Sequence, residues 1–239
     1  MLARDCWLEF QPKGMNMHSA SVTKKSLFSV AVCALLAAAP AIATIYDEAV
    51  TSVDLSNDKA NPTALTLTPG SNSVIGTVNG FGNGDPQDWV SFTIPTGFVM
   101  TSYVNSKYDS TDDQGFTGFR LGSSFPVDEF TAGNYAGFAH FGTDADNGGG
   151  SGSTVGVNLL PLMADSSFAP GAIGFTPPLA AGTYTFLIQQ GDDVPTGYQF
   201  DMTVRSVPEP GSSLCLLGVG GLAILALRRR LGYLDRRIR

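Results

Sequence analysis

The chain has 239 residues, a formal net charge of −7 and 43% hydrophobic residues. An acidic balance argues against nucleic acid or an anionic lipid surface as partner. All three cysteines (Cys6, Cys33, Cys215) fall outside the central body delimited below, which removes a disulfide framework and a thiol nucleophile from that body.

In chain order, Lys24 and Lys25 precede an apolar run from Leu27 to Ala39, and Ala41-Ile42-Ala43 follows. A basic start, a short apolar segment and an A-x-A site make a secretory signal peptide, so residues 1–43 form a leader. Cleavage is expected after Ala43, with Ala41 and Ala43 as the small residues of the site and Thr44 as the new N-terminus. A retained membrane anchor is the competing reading, opposed by the shortness and alanine content of the run. Residues 1–14 look unlike the start of a leader, and Met15 or Met17 is the expected initiator. Such a leader implies the Sec export machinery.

The exported body, residues 44–206, has a single-domain length. It carries four basic residues (Lys59, Lys107, Arg120, Arg205) against 17 acidic ones, a net −13, because the basic residues cluster at the two ends of the chain. Apolar and polar residues alternate with period two, as in half-buried strands. Strands are predicted over 64–68, 73–78, 88–94 and 98–104, separated by turn clusters such as Pro69 to Asn72 and Pro95 to Gly97. In 88–94, Val90, Phe92 and Ile94 share one face and Trp89, Ser91 and Thr93 the other. The middle is less regular. Strands are expected over 116–121, 135–141 and 154–160, with 144–153 a flexible glycine-rich loop. Two strands close the body. Tyr184, Phe186 and Ile188 line one face of 182–189. Tyr198, Phe200, Met202 and Val204 line one face of 198–204. Residues 190–197 are expected to join them as a long hairpin. No segment shows convincing helical periodicity. Eight or nine short strands predict an all-β fold, a β-sandwich or jelly roll.

Catalysis has little support in this body. His140 is its one histidine and sits between Ala139 and Phe141, so no enzyme activity is expected. Paired carboxylates occur, but a glycosidase needs two that converge in a cleft, and spacing does not show convergence. Ca²⁺ fits the chemistry better, since it takes oxygen ligands from Asp, Asn and carbonyl groups. The candidates are Asp85 with Asp88, in Asn83-Gly84-Asp85-x-x-Asp88, and Asp144 with Asp146. The second pair begins like an EF-hand loop but lacks the later ligands and the flanking helices. Solvated turn carboxylates are the plain alternative, in which case no cofactor binds.

The C-terminal stretch has three signals in a fixed order. Val207-Pro208-Glu209-Pro210 is an extended peptide, because each proline fixes its own φ and moves its predecessor away from helix. Residues 211–227 contain no charge, and 17 residues at 1.5 Å each span roughly 26 Å, near the lower limit for a transmembrane helix. Arg228, Arg229 and Arg230 then hold the end on the cytoplasmic side and stop transfer.

This triad, over about residues 206–231, closely resembles the PEP-CTERM sorting signal of Gram-negative bacteria. The resemblance implies that residues 207–239 are a sorting signal with one transmembrane helix and a basic tail. It implies an inner-membrane precursor, processing by exosortase, and delivery to the cell surface or extracellular matrix. One departure is the extension from Leu231 to Arg239. The body also resembles, weakly, the PPC-like (pre-peptidase C-terminal) β-sandwich, through Leu65 to Gly70, Gly76 to Val78, Asp88 to Pro95, Ala181 to Phe186 and Tyr198 to Val204. That family implies an accessory role. The combined reading is a non-enzymatic surface or matrix protein, with exopolysaccharide a candidate partner. The alternative is a Ca²⁺-dependent carbohydrate-binding module.

Overall fold

The computed structural model describes residues 42–148 and 150–207. The segments expected to form the signal helix and the transmembrane helix (211–227), with Arg228 to Arg230, lie outside the described residues. Among the described residues no helix is long and apolar enough to cross a membrane.

The fold is all-β. Its strands are β1 (Ile42–Asp47), β2 (Thr63–Thr66), β3 (Gly70–Val78), β4 (Gln87–Ile94), β5 (Phe98–Asp109), β6 (Gln114–Leu121), β7 (Gly137–Gly142), a two-residue pair β8 (Ala145–Asp146) and β9 (Ser151–Gly152), β10 (Gly182–Gln189) and β11 (Thr196–Ser206). Two short helices, α1 (Glu48–Thr51) and α2 (Leu159–Ala164), interrupt them. One sheet has the order β1-β3-β11-β5 and the other β2-β4-β10-β6-β7. These sheets hold nine strands, among them β1, which the alternation did not point to. Pairing is antiparallel except at two edges, where β1 runs parallel to β3 and β2 parallel to β4.

The period-two pattern explains the sandwich. Val74, Tyr103, Phe200 and Met202 from one sheet and Val90, Phe92, Phe119, Phe186 and Ile188 from the other share one buried core. Rings lock the sheets together. Tyr103 meets Phe186 across the core at 4.9 Å and Phe141 meets Phe200 edge-on at 5.0 Å, while Tyr103 stacks on Phe200 of its own sheet at 4.5 Å. Such aromatic pairs add about 0.5–1.5 kcal/mol each beyond area burial.

The other face of β4 is buried as well. Trp89, with Ser91 on the side opposite Val90, packs beneath Phe125, Tyr135 and Leu187 in a second, smaller core. The segment between β6 and β7 forms this cover. Trp89 is fully buried and its Nε1 donates to Gln87 Oε1 at 3.2 Å.

Three expectations need correction. Residues 154–160 are not a strand, because Leu159–Ala164 form α2. Asn158 caps it, its Oδ1 accepting from Leu160 N at 3.2 Å and from Tyr103 N at 3.0 Å. Pro161 falls in the first turn, where its missing N–H costs no bond. Six residues are too few for a 3.6 period to show in sequence. Second, β10 and β11 are not a hairpin. They lie in different sheets, and the connection crosses the open end of the sandwich. Their apolar stripes face each other across the core. Alternation fixes which face is buried, not which strand lies alongside. Third, the 144–153 segment contains the β8–β9 pair, and Asn147 is buried, bonding His140 N through Oδ1 at 2.8 Å. At the N-terminal edge, β1 begins before the expected cut after Ala43, and a chain starting at Thr44 keeps the pairs Thr44–Ser73, Tyr46–Val74 and Asp47–Ile75.

Candidate functional site

Three carboxylates converge at one end of the sandwich. Glu48 opens α1, directly after β1, with Asp47 as N-cap accepting from Ala49 N at 2.9 Å. Asp54 lies on the crossing segment that leaves α1 for β2. Asp88 lies on β4, on the face that points between the sheets with Val90 and Phe92. One oxygen from each carboxylate lies within 4.8 Å of the other two.

Backbone geometry holds the group. Glu48 Oε1 accepts from Leu55 N at 3.0 Å and Oε2 from Thr77 N at 2.7 Å, tying α1 to the crossing segment and to β3. Leu55 is buried in the main core, which pins the segment beside Asp54. Tyr198, from β11, donates its phenol to Asp88 Oδ2 at 2.6 Å. Gly76 of β3 leaves the space these groups need. A Cβ there would lie 2.4 Å from Tyr198 Oη and 3.0 Å from Glu48 Oε1.

The electrostatics follow from crowding and burial. Burial pushes the Glu48 carboxyl up to about 7, with the Asp54 charge adding and the Leu55 and Thr77 amides opposing. Asp54 is raised by partial burial and by the neighbouring Asp85 charge. Asp88 is raised well above the carboxylate range by burial, with the Tyr198 bond opposing and the charges of Glu48, Asp85 and Asp54 adding. Its Oδ1 is buried without a hydrogen-bond partner. Tyr198 is also pushed up, by burial and by the Asp88 charge. Among the described residues the ion pairs are Lys59–Glu129 and Lys107–Asp109, so no ion-paired cation meets this group.

The four metal candidates read from sequence therefore separate. Asp88 joins the cluster. Asp85 stands beside it, its oxygens taken by Asn57 Nδ2 at 2.9 Å and Asn79 Nδ2 at 3.1 Å. Asp144 and Asp146 are exposed and belong to no group of three acids among the described residues. Glu48 and Asp54 were missed. They lie 40 and 34 positions before Asp88, and no local spacing links them; the parallel β1–β3 edge brings them in.

A second feature is a cavity of about 420 Å³ on the outer face of the five-stranded sheet. Phe116, Phe138 and His140 project from β6 and β7, with Phe116 and Phe138 rings 5.7 Å apart. Gln114, Gln189, Glu129 and Asp192 supply polar edges, and Phe130 stands 70% exposed at the rim. His140 Nδ1 lies against the Asp146 carbonyl, and its ring meets Phe116 edge-on at 5.8 Å. These contacts commit the histidine to holding the β8 turn.

The processing segment starts where the sandwich ends. β11 runs through the middle of its sheet to Ser206, and Val207 N donates to Gly97 O at 2.9 Å. Pro208, Glu209 and Pro210 lie outside the described residues. The family model of the PEP-CTERM protein-sorting motif matches residues 206–230, so the chain carries that motif. The motif marks an exosortase-sorted protein, made as a membrane-anchored precursor and destined for the cell surface. No curated protein matches the chain, and the PPC-like resemblance of the body is not confirmed.

Proposed function

We propose that the chain is a non-enzymatic protein of the bacterial cell surface or extracellular matrix, with the β-sandwich as delivered cargo and the tail as delivery signal. The observation that carries this reading is the sorting motif, which begins where the last strand ends. A cut among Val207, Pro208, Glu209 and Pro210 leaves every strand of the sandwich intact and removes the apolar segment and its arginines. The leader, cut at Ala41-Ile42-Ala43, sends the body across the inner membrane through the Sec machinery of a Gram-negative cell. A charge-free span followed by arginines then stays in the bilayer until it is cut. Cell fractionation tests this. With exosortase present, the protein should wash from the surface fraction without detergent. Without exosortase, it should need detergent for extraction. A protein found in the cytosol in both strains would overturn the reading.

A second reading has one observation in its favour. The outer-face cavity combines exposed aromatic rings with amide and carboxylate edges. Rings stack on the apolar faces of sugars, and such edges bond hydroxyl groups. The acidic lining suits a neutral glycan. In this reading the body is a Ca²⁺-dependent carbohydrate-binding module that retains the protein on exopolysaccharide. Retention on the cell's own polysaccharide, with and without EDTA, and its loss in Phe130→Ala distinguish the two.

A further inference from the structure

We propose that Glu48, Asp54 and Asp88 bind one Ca²⁺ ion, which clamps the N-terminal edge of the mature protein across both sheets. Three facts carry this. The ligand set is all oxygen and all carboxylate, the choice of a hard cation. An ion with Ca–O lengths of about 2.3–2.6 Å holds opposite ligands about 5 Å apart and adjacent ones closer, so one ion reaches oxygens that lie within 4.8 Å of each other. The third fact is independent of the clustering. Asp88 is 0% exposed and its Oδ1 has no hydrogen-bond partner. An ionised carboxylate buried with one oxygen unpaired and no counter-charge is costly, and a cation held with Glu48 and Asp54 lowers that cost.

The ligands come from three places that folding must bring together. Glu48 follows the edge strand β1, Asp54 sits on the segment crossing between sheets, and Asp88 is in the opposite sheet. The Leu55 and Thr77 amides already orient the Glu48 carboxylate, and Tyr198 orients that of Asp88. These bonds leave lone pairs free for a metal, and water would complete the six to eight ligands that Ca²⁺ takes. An ion here opposes peeling of β1, the strand that becomes the mature N-terminus.

The test uses the full chain in detergent, stripped with EGTA and titrated with CaCl₂ alone, by calorimetry and by thermal unfolding followed by circular dichroism. One-site binding is expected, with the melting temperature rising by roughly 5–10 °C when Ca²⁺ reaches a hundred times its dissociation constant. Asp54 is exposed, so Asp54→Asn should fold normally, melt in EGTA within about 2 °C of the parent, and bind Ca²⁺ at least about tenfold more weakly. No binding up to about 10 mM CaCl₂, well above the range of weak extracellular sites, would overturn the proposal. So would unchanged affinity in Asp54→Asn, loss of binding in an Asp144→Asn/Asp146→Asn variant instead, or an equal response to MgCl₂. A negative result leaves the sorting reading untouched, since the two share no observation.

Discussion

Gly76→Ala is the sharpest probe of the convergence at the end of the sandwich. Gly76 is buried on β3, and its φ is not in the left-handed region, so backbone strain plays no part. The effect is steric. The added methyl would sit 2.4 Å from Tyr198 Oη, 2.7 Å from Tyr198 Cζ and 3.0 Å from Glu48 Oε1. The tyrosine must move by about an ångström, which stretches its 2.6 Å bond to Asp88 beyond hydrogen-bond range. Overpacking a core costs about 1–3 kcal/mol. Leaving a buried polar group unpaired adds about 1–3 kcal/mol. The sum is roughly 2–6 kcal/mol, or a drop in melting temperature of about 4–24 °C for a domain of this size. Urea unfolding monitored by far-ultraviolet circular dichroism measures it. Tyr198→Phe removes the phenol oxygen, so the double variant should lose less than the sum of the single losses, by about 0.5–3 kcal/mol. A Gly76→Ala protein within about 0.5 kcal/mol of the parent would show that Tyr198 and Glu48 do not meet over this glycine.

Trp89→Ala should destabilise by about 3–5 kcal/mol, because the ring is fully buried under Phe125 and Tyr135, while Phe130→Ala, at an exposed rim, should stay within about 0.5 kcal/mol by the same denaturant titration. The metal-free protein should lose stability as pH rises. The folded Glu48 pKa of about 7 lies above its ordinary 4.5, so between these values the folded state binds more protons, and stability falls from about pH 4.5 to 7 and then levels. Asp54, Asp88 and Tyr198 are the titratable groups facing Glu48. Unfolding in EGTA at pH 5 and pH 8 should give a smaller difference for Glu48→Gln than for the parent, and an equal difference would refute the assignment. Deleting Val207 to Pro210 should leave the sandwich folded but the precursor uncut, seen as one membrane-bound band on immunoblots where the parent gives a shorter surface form.

The all-β class and most strands were legible because apolar and polar residues alternate over most of them. Val90, Phe92 and Ile94 do share the core face of β4, as do Tyr198, Phe200, Met202 and Val204 on β11. What alternation leaves undetermined is the neighbour, which is why β10 and β11 read as a hairpin although they belong to opposite sheets. Helix α2 was hidden by its length. Trp89 read as facing away from Val90, which is correct, but burial of that side depends on Phe125 and Tyr135, more than 35 positions further on. The acidic site was half legible. Asp88 stood out beside Asp85, yet its partners Glu48 and Asp54 arrive through a parallel edge strand, a long-range contact that leaves no period or spacing in the sequence. The sorting motif was fully legible because its physics is local: two prolines, an uncharged span and a run of arginines.

Intact-mass spectrometry of the protein recovered from its own cell surface bears most directly on delivery of the sandwich by a cleaved tail. The predicted species begins at Thr44 and ends close to Pro208, without the apolar segment or the arginines, and it disappears in cells lacking exosortase. A surface protein retaining residues 211–239, or one still carrying its leader, would contradict it.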